Sequence, residues 1–244
     1  MVHYDHMNII FFDTETTGNE SHDRLCQIAY TSASETVSEL FLPPIPISIE
    51  SMAVHHITQN MVAQKPLFTE SPLYQKIKET FESESSIMVA HNAQFDITML
   101  EKENIHPKHI ICTLRVARHL DAEGSIPSYR LQYLRYYLGI EIQAVAHDAL
   151  GDVLVLEQLF SRLFKKIQEK YSYTEDQALK FMEEISAQPS LLHTMPFGKH
   201  KDKKIKDLAT EDPGYLTWLL NQKKEQSVDG DEDWIYTLEY YTKK

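Results

Sequence analysis

Ile9, Ile10, Phe11 and Phe12 form an unbroken apolar run that leads straight into Asp13-Thr14-Glu15-Thr16-Thr17-Gly18. A run this short and this apolar predicts a strand buried on both faces. Side chains alternate along a strand, so Asp13 and Glu15 share one face at its end. Two carboxylates placed there repel each other and lose solvation, a cost that a cation between them removes. Taken alone, the stretch leaves a second reading open, a solvated strand end closed by a Thr-Thr-Gly turn. Residues 25–30 and 36–42 predict two further strands, antiparallel neighbours, ended by Pro43, Pro44 and Pro46 because proline cannot donate to a ladder. Residues 51–58 predict a helical turn with Thr58 capping the next one, and residues 74–81 a helix.

Residues 86–90 repeat the opening pattern: a buried run that meets His91, Asn92, Phe95 and Asp96, with Ile97, Met99 and Leu100 behind them. Asp96 therefore stands at the start of a helix packed behind the sheet. A strand over 110–113 and a helix over 114–120 come next, and then Leu131, Leu134 and Leu138 at helical spacing before Gly139. Strand and helix in alternation predict an α/β layer architecture. The last helix of this unit carries the stripe Val153, Leu156, Leu159, Phe160 and Leu163, with Asp148 as N-cap. Asp152 lies on that stripe, and a carboxylate on a buried helix face needs a partner. A continuous helix would turn His147 away from Asp152, so His147 belongs in the loop before it. Thr174 and Gln177 form a capping box for a helix over 175–186, and Asp212-Pro213 starts another that carries Tyr215 and Trp218. The predicted organisation is a first domain over 1–168, a helical linker over 169–190 and a small C-terminal α/β module over 191–244.

Composition adjusts this picture in two ways. With 244 residues the chain can bury one sizeable core and a second small one, and its two cysteines, Cys26 and Cys112, predict core packing rather than a disulfide framework. No targeting segment or membrane-length apolar run is visible, so a cytoplasmic protein without a membrane partner is expected. A formal net charge of −12 argues against binding nucleic acid through broad basic electrostatics. It leaves room for an enzyme that meets phosphates through metal ions and a few local cations. The charge is also uneven: residues 199–206 hold five lysines and one aspartate, whereas 225–233 is strongly acidic. The lysine turn is read as a solvated loop or a phosphate contact.

Acids thus stand at the ends of three separate elements: Asp13 and Glu15, Asp96, and Asp152. If they converge they need divalent cations, and oxygen-only ligands suit two hard metals acting on a phosphodiester. His147, with an ordinary pKa near neutrality, is the natural base for the attacking water. Asp13-x-Glu15, His91-Asn92-x-x-Phe95-Asp96 and His147-x-x-x-x-Asp152 resemble, in order, the three motifs of the DEDDh 3′–5′ exonucleases of the ribonuclease-H-like superfamily. Residues 51–58, 61–66, 111–113, 189–191, 197–199 and 212–219 resemble the exodeoxyribonuclease X branch of that family, which extends the likeness into the C-terminal module.

The resemblance implies a mixed five-stranded sheet flanked by helices. It implies ligation of two divalent ions, Mg²⁺ or Mn²⁺, by Asp13, Glu15, Asp96 and Asp152, with His147 as general base. Thr14, Thr16, Thr17, His55, Asn92 and Phe95 are implied around the terminal nucleotide. The implied reaction is hydrolysis of single-stranded or duplex DNA from 3′ ends to nucleoside 5′-monophosphates. RNA as substrate, a proofreading subunit of DNA polymerase III and a catalytically silent nucleic-acid binder are the alternatives left open. The C-terminal module is a candidate nucleic-acid contact. The chain departs from the family pattern after Gly18, where residues 19–23 are wholly polar. His91 is read as a structural hydrogen-bonder or a site residue, and Tyr133, Tyr136 and Tyr137 as helix packing.

Overall fold

The structure, a computed structural model, describes residues 7–142, 149–226 and 231–243. Its centre is one sheet of five strands: β1 (Asn8–Thr16), β2 (Leu25–Thr31), β3 (Thr36–Leu40), β4 (Ser86–Ala90) and β5 (His109–Cys112), in the order β3-β2-β1-β4-β5. β1 pairs antiparallel with β2 and parallel with β4, β4 is parallel to β5, and β2 is antiparallel to β3, so the sheet is mixed. Helices α1 (Ile49–His55), α2 (Gln59–Val62) and α3 (Tyr74–Phe81) fill the connection from β3 to β4. They are followed by α4 (Ala93–Lys102), α5 (Thr113–Leu120), α6 (Leu131–Tyr137), α7 (Ala149–Tyr171) and α8 (Glu175–Ser186). The C-terminal segment carries α9 (Ile205–Glu211), α10 (Pro213–Gln226) and α11 (Glu232–Thr242).

Alternation along β1 sends Ile10 and Phe12 to a core shared with Phe81 of α3 and Ile97 and Leu100 of α4. The opposite face packs on α7: Phe11 meets Phe160 edge-on at 5.2 Å, and Leu156, Leu159 and Leu163 join Ile87, Val89 and Ile111 in a second core. Each such side chain contributes roughly 1.5–3 kcal/mol on burial, so the two cores clamp β1 from both sides. One local contact decides where α7 begins its crossing. Ala29 of β2 is the register partner of Asp13, and its small side chain lets Ala149 and Val153 approach the sheet there. α7 therefore enters directly over the strand end that carries the acids. Cys26 and Cys112 are free and buried.

The C-terminal segment closes its own core with Met195, Ile205, Leu208, Leu216, Leu219 and Leu238. Among the described residues its only β pairing is the bridge between Thr194 and Lys204, so the expected α/β module is helical. The chain enters α9 at Ile205, immediately after the bridge, and no length remains for a ladder. Asp212 caps α10 as its sequence predicts, accepting from the Tyr215 N–H at 3.2 Å. Tyr133, Tyr136 and Tyr137 of α6 are all exposed, contrary to the packing role expected of them, because α6 turns Leu134 inward instead. No described helix is long and apolar enough to cross a membrane.

Candidate active site

Asp13, Glu15 and Asp152 come together: one oxygen of each carboxylate lies within 4.8 Å of the others. Asp13 and Glu15 reach this point because they share the β1 face that looks toward α7. Asp152 reaches it from the first turn of α7, where it is 9% exposed. Three half-buried or buried carboxylates with only oxygen donors are the ligand set of a hard divalent cation. Without one, their mutual repulsion and lost hydration oppose the arrangement. The residues present fit such an ion.

Asp96 is not part of that cluster. It approaches β1 from the α4 side, and its Oδ1 accepts from the Thr14 N–H at 3.1 Å and the Thr14 hydroxyl at 2.7 Å. Strand alternation explains the separation, since Thr14 points to the face opposite Asp13 and Glu15. Burial raises the Asp96 pKa to about 7, more than the two Thr14 hydrogen bonds lower it. Asn92, immediately before α4, adopts a left-handed backbone with φ 64°. Asparagine tolerates that conformation better than most side chains, and here it turns β4 abruptly into α4. Asn92 and Phe95 line a groove of about 840 Å³ that also includes Asn19, Glu20 and Ser21 from the turn after β1. His91 is structural: its Nε2–H donates to the Tyr129 carbonyl at 2.7 Å and Nδ1 meets the Thr113 hydroxyl at 2.9 Å. Burial lowers its pKa to about 4.

The turn after β1 is held by its own side chains. The Thr17 hydroxyl donates to Asp23 Oδ1 at 2.6 Å, and the Glu20 N–H donates to Asp23 Oδ2 at 2.7 Å. Thr17 is fully buried, so its side chain acts on the site through this turn. Lys102 of α4 donates to the Asp23 carbonyl at 3.1 Å and ties the turn to the helix that carries Asp96. The Thr16 hydroxyl donates to the Gly18 carbonyl at 2.6 Å, while the Thr16 carbonyl faces His55 Nε2 at 3.2 Å. His55 Nδ1 accepts from the Ile57 N–H at 3.0 Å, so the proton sits on Nε2 and the ring donates to Thr16. Burial lowers the His55 pKa, which keeps this neutral tautomer. His147 and Asp148 lie outside the described residues.

Two residues of the site carried no sequence signal. Gln132 of α6 donates its side-chain N–H to Asp152 Oδ1. Arg135, one turn on, donates to Gln132 Oε1 at 3.3 Å, which orients the amide so that its nitrogen faces the carboxylate. Arg135 also donates to the Ile142 carbonyl at 2.7 Å. Both looked like ordinary polar positions of an amphipathic helix.

A strand end with paired acids, a helix crossing over it with a third, and a mixed five-stranded sheet define a nuclease of the ribonuclease-H-like class. Comparison with known proteins agrees: a family model described as Exonuclease matches residues 10–160, and the chain belongs to that family. A second, described as Exodeoxyribonuclease X-like C-terminal, matches residues 195–224. Exodeoxyribonuclease 10 of Escherichia coli (strain K12) is 33% identical over 224 residues, 89% of this chain and 92% of that protein. DNA polymerase III subunit epsilon of Treponema pallidum (strain Nichols) is 31% identical over 66% of this chain and 78% of its own length. Among solved structures, Exonuclease X in complex with 5′ overhanging duplex DNA superposes with a TM-score of 0.54 at 28% identity, covering 73% of this chain and 99% of that one. The nuclease domain of 3′hExo, a DEDDh family member bound to rAMP, shares the fold at 15% identity, with a TM-score of 0.52 over 66% of this chain and 94% of its own.

Proposed function

We propose that this chain is a metal-dependent 3′–5′ exonuclease that hydrolyses DNA from 3′ ends, single-stranded or duplex, and releases nucleoside 5′-monophosphates. The observation that carries the reading is the convergence of Asp13, Glu15 and Asp152 to within 4.8 Å on a fold of the exonuclease family. The ligand roles of these three carboxylates and of Asp96, and the base role of His147, are part of the proposal. Two divalent ions, Mg²⁺ or Mn²⁺, would supply activation of water and neutralisation of charge on the phosphate. The protein supplies the rest. Asp13 and Glu15 are fixed by the β1 ladder, and Asp152 is held by Gln132.

His147 takes the proton of the attacking water, whose oxygen bonds to phosphorus as the phosphorus–O3′ bond breaks. The terminal nucleotide leaves as its 5′-monophosphate, and the O3′ left on the shortened strand takes up a proton from solvent to become the new 3′-hydroxyl. The Thr16 backbone, kept in place by His55, receives the terminal sugar, with Thr14 and Thr17 supporting it from behind through Asp96 and the Asp23 turn, while Phe95 and Asn92 flank the terminal nucleotide. The functional units are a catalytic domain over 1–168, a linker over 169–190 and a module over 191–244, with α7 running through the first boundary. A DNA substrate and two free cysteines favour the cytoplasm.

Asp13→Asn and Asp152→Asn, purified separately and assayed in Mg²⁺, should each lose activity by about a thousandfold or more while melting like the wild type. Full activity in either variant rejects the site. His147→Ala should lower kcat more than it weakens Mg²⁺ dependence, and an unchanged rate removes it as the base. A proofreading role beside a polymerase is favoured by the likeness to the epsilon subunit, and co-purification with a polymerase catalytic subunit would support it.

A further inference from the structure

The lysine-rich turn and the rings around it take no part in the carboxylate site. Phe197 lies 5.3 Å from Trp234, Tyr215 lies 5.6 Å from Trp218, and the Lys199 ammonium sits 5.0 Å from the Tyr215 ring centre. Gly198 joins the two pairs. Its φ is 68°, and a methyl group added there would stand 3.2 Å from the Tyr215 hydroxyl. The turn is thus pressed onto the tyrosine, with the Phe197–Trp234 pair on one side of Gly198 and the Tyr215–Trp218 pair on the other. Trp218 is 54% exposed and Phe197 39%, while the module closes its core without either. The same turn carries further lysines: Lys199 pairs with Asp212 and Lys203 with Glu211 in exposed contacts, and Lys201 and Lys206 are exposed. Exposed pairs of this kind are weak and readily exchanged for phosphate. The acids Glu232 and Asp233 instead engage Arg115 and Arg118 of α5.

We infer that the strip formed by Trp218, Tyr215, Phe197 and Trp234, with Lys199 and Lys201, is a second nucleic-acid-binding surface. It takes the body of a strand whose 3′ end lies at the carboxylates, with bases stacked on the rings and phosphates on the lysines. Sequence-tolerant binding of single strands has this composition, stacking platforms beside cations. The groove lined by Asn92 and Phe95, the residues proposed to flank the terminal nucleotide, is also lined by Arg115, Glu232 and Asp233. Trp234 follows Asp233 directly and touches Phe197, so strip and groove adjoin. The inference rests on the exonuclease reading, and its test separates the two.

The full chain and its Trp218→Ala variant are assayed on single-stranded DNA of roughly 6 and roughly 30 nucleotides, lengths either side of a typical single-strand binding site. The ratio of kcat/KM on the long substrate to that on the short one should fall about tenfold in the variant. Lys199→Ala with Lys201→Ala should flatten the dependence of log binding on log salt by about 1.4 for the long strand. The chain has two tryptophans, so Trp234→Phe leaves Trp218 as sole reporter, and in an Asp13→Asn background the long strand should quench it. An unchanged length ratio with no quenching overturns the strip while leaving the exonuclease intact. Quenching in a chain that degrades neither substrate supports the strip and rejects the exonuclease reading.

Discussion

Asp152 owes its position to a neighbour as much as to its own helix. Gln132 donates to its Oδ1, and Arg135 orients Gln132. Residues that orient a ligand in this way typically change metal affinity or activity by about 10–100-fold when removed. Gln132→Ala should therefore lower kcat/KM by about tenfold and raise the Mg²⁺ concentration needed for half-maximal rate. A magnesium titration of both proteins checks this, and identical curves would leave Gln132 without a role.

His91 makes a separate prediction about stability. Its folded pKa of about 4 lies below the ordinary 6.5, so the unfolded chain binds the proton more readily. Stability is then complete above pH 6.5 and falls as pH drops toward 4, with His91 contributing on the order of 3 kcal/mol across that window. Urea midpoints at pH 7.5 and 4.5 should differ less in His91→Gln than in the wild type. The acids of the site were legible because residue type and place in the pattern announced them. Gln132 and Asp23 were not, because each acts across a distance that only the folded chain defines.

At the scale of elements, the turn after β1 carries the most consequence. Thr17, Asp23 and Lys102 staple it to α4. Gly18 is required there, since an added methyl would meet Asp23 Oδ2 at 2.4 Å. Gly18→Ala must displace that carboxylate, at a cost of about 1–3 kcal/mol in stability, and should raise KM for DNA as the Thr16 turn shifts. Thermal melting and steady-state kinetics on one preparation test both effects. The strands and α7 were legible from hydrophobic period, α8 from its capping box, and α10 starts at Pro213, where Asp212-Pro213 places it, whereas α11 was not foreseen. The helix that carries Asp96 was legible too, whereas its hydrogen bonds to Thr14 were not, because periodicity along α4 does not report which residue of β1 it meets. The β component expected of the C-terminal module reduces to one bridge between Thr194 and Lys204, which has no periodic signature.

For the molecule as a whole, the helical C-terminal module is held to the catalytic domain by a small polar latch. Arg118 reaches both Ser190 Oγ and Asp233 Oδ2, the Ser190 N–H donates to Asp233 Oδ1 at 2.8 Å, and Arg115 pairs with Glu232 at 3.1 Å. Arg118 and Asp233 are mostly covered, so removing one leaves the other poorly paired. Arg118→Ala and Asp233→Ala should each speed proteolysis between α8 and α9, and the double variant should be no worse than either single one. Additive effects would mean the two act separately.

The central claim is that carboxylates on β1 and α7 drive hydrolysis from the 3′ end. The most direct test is digestion of single-stranded DNA labelled at its 5′ end, in Mg²⁺, resolved to single nucleotides over time. The account predicts a ladder of labelled strands shortening stepwise from the 3′ end, and none with Asp13→Asn. Labelled mononucleotide appearing at once, or an undiminished ladder from the Asp13→Asn protein, would contradict it.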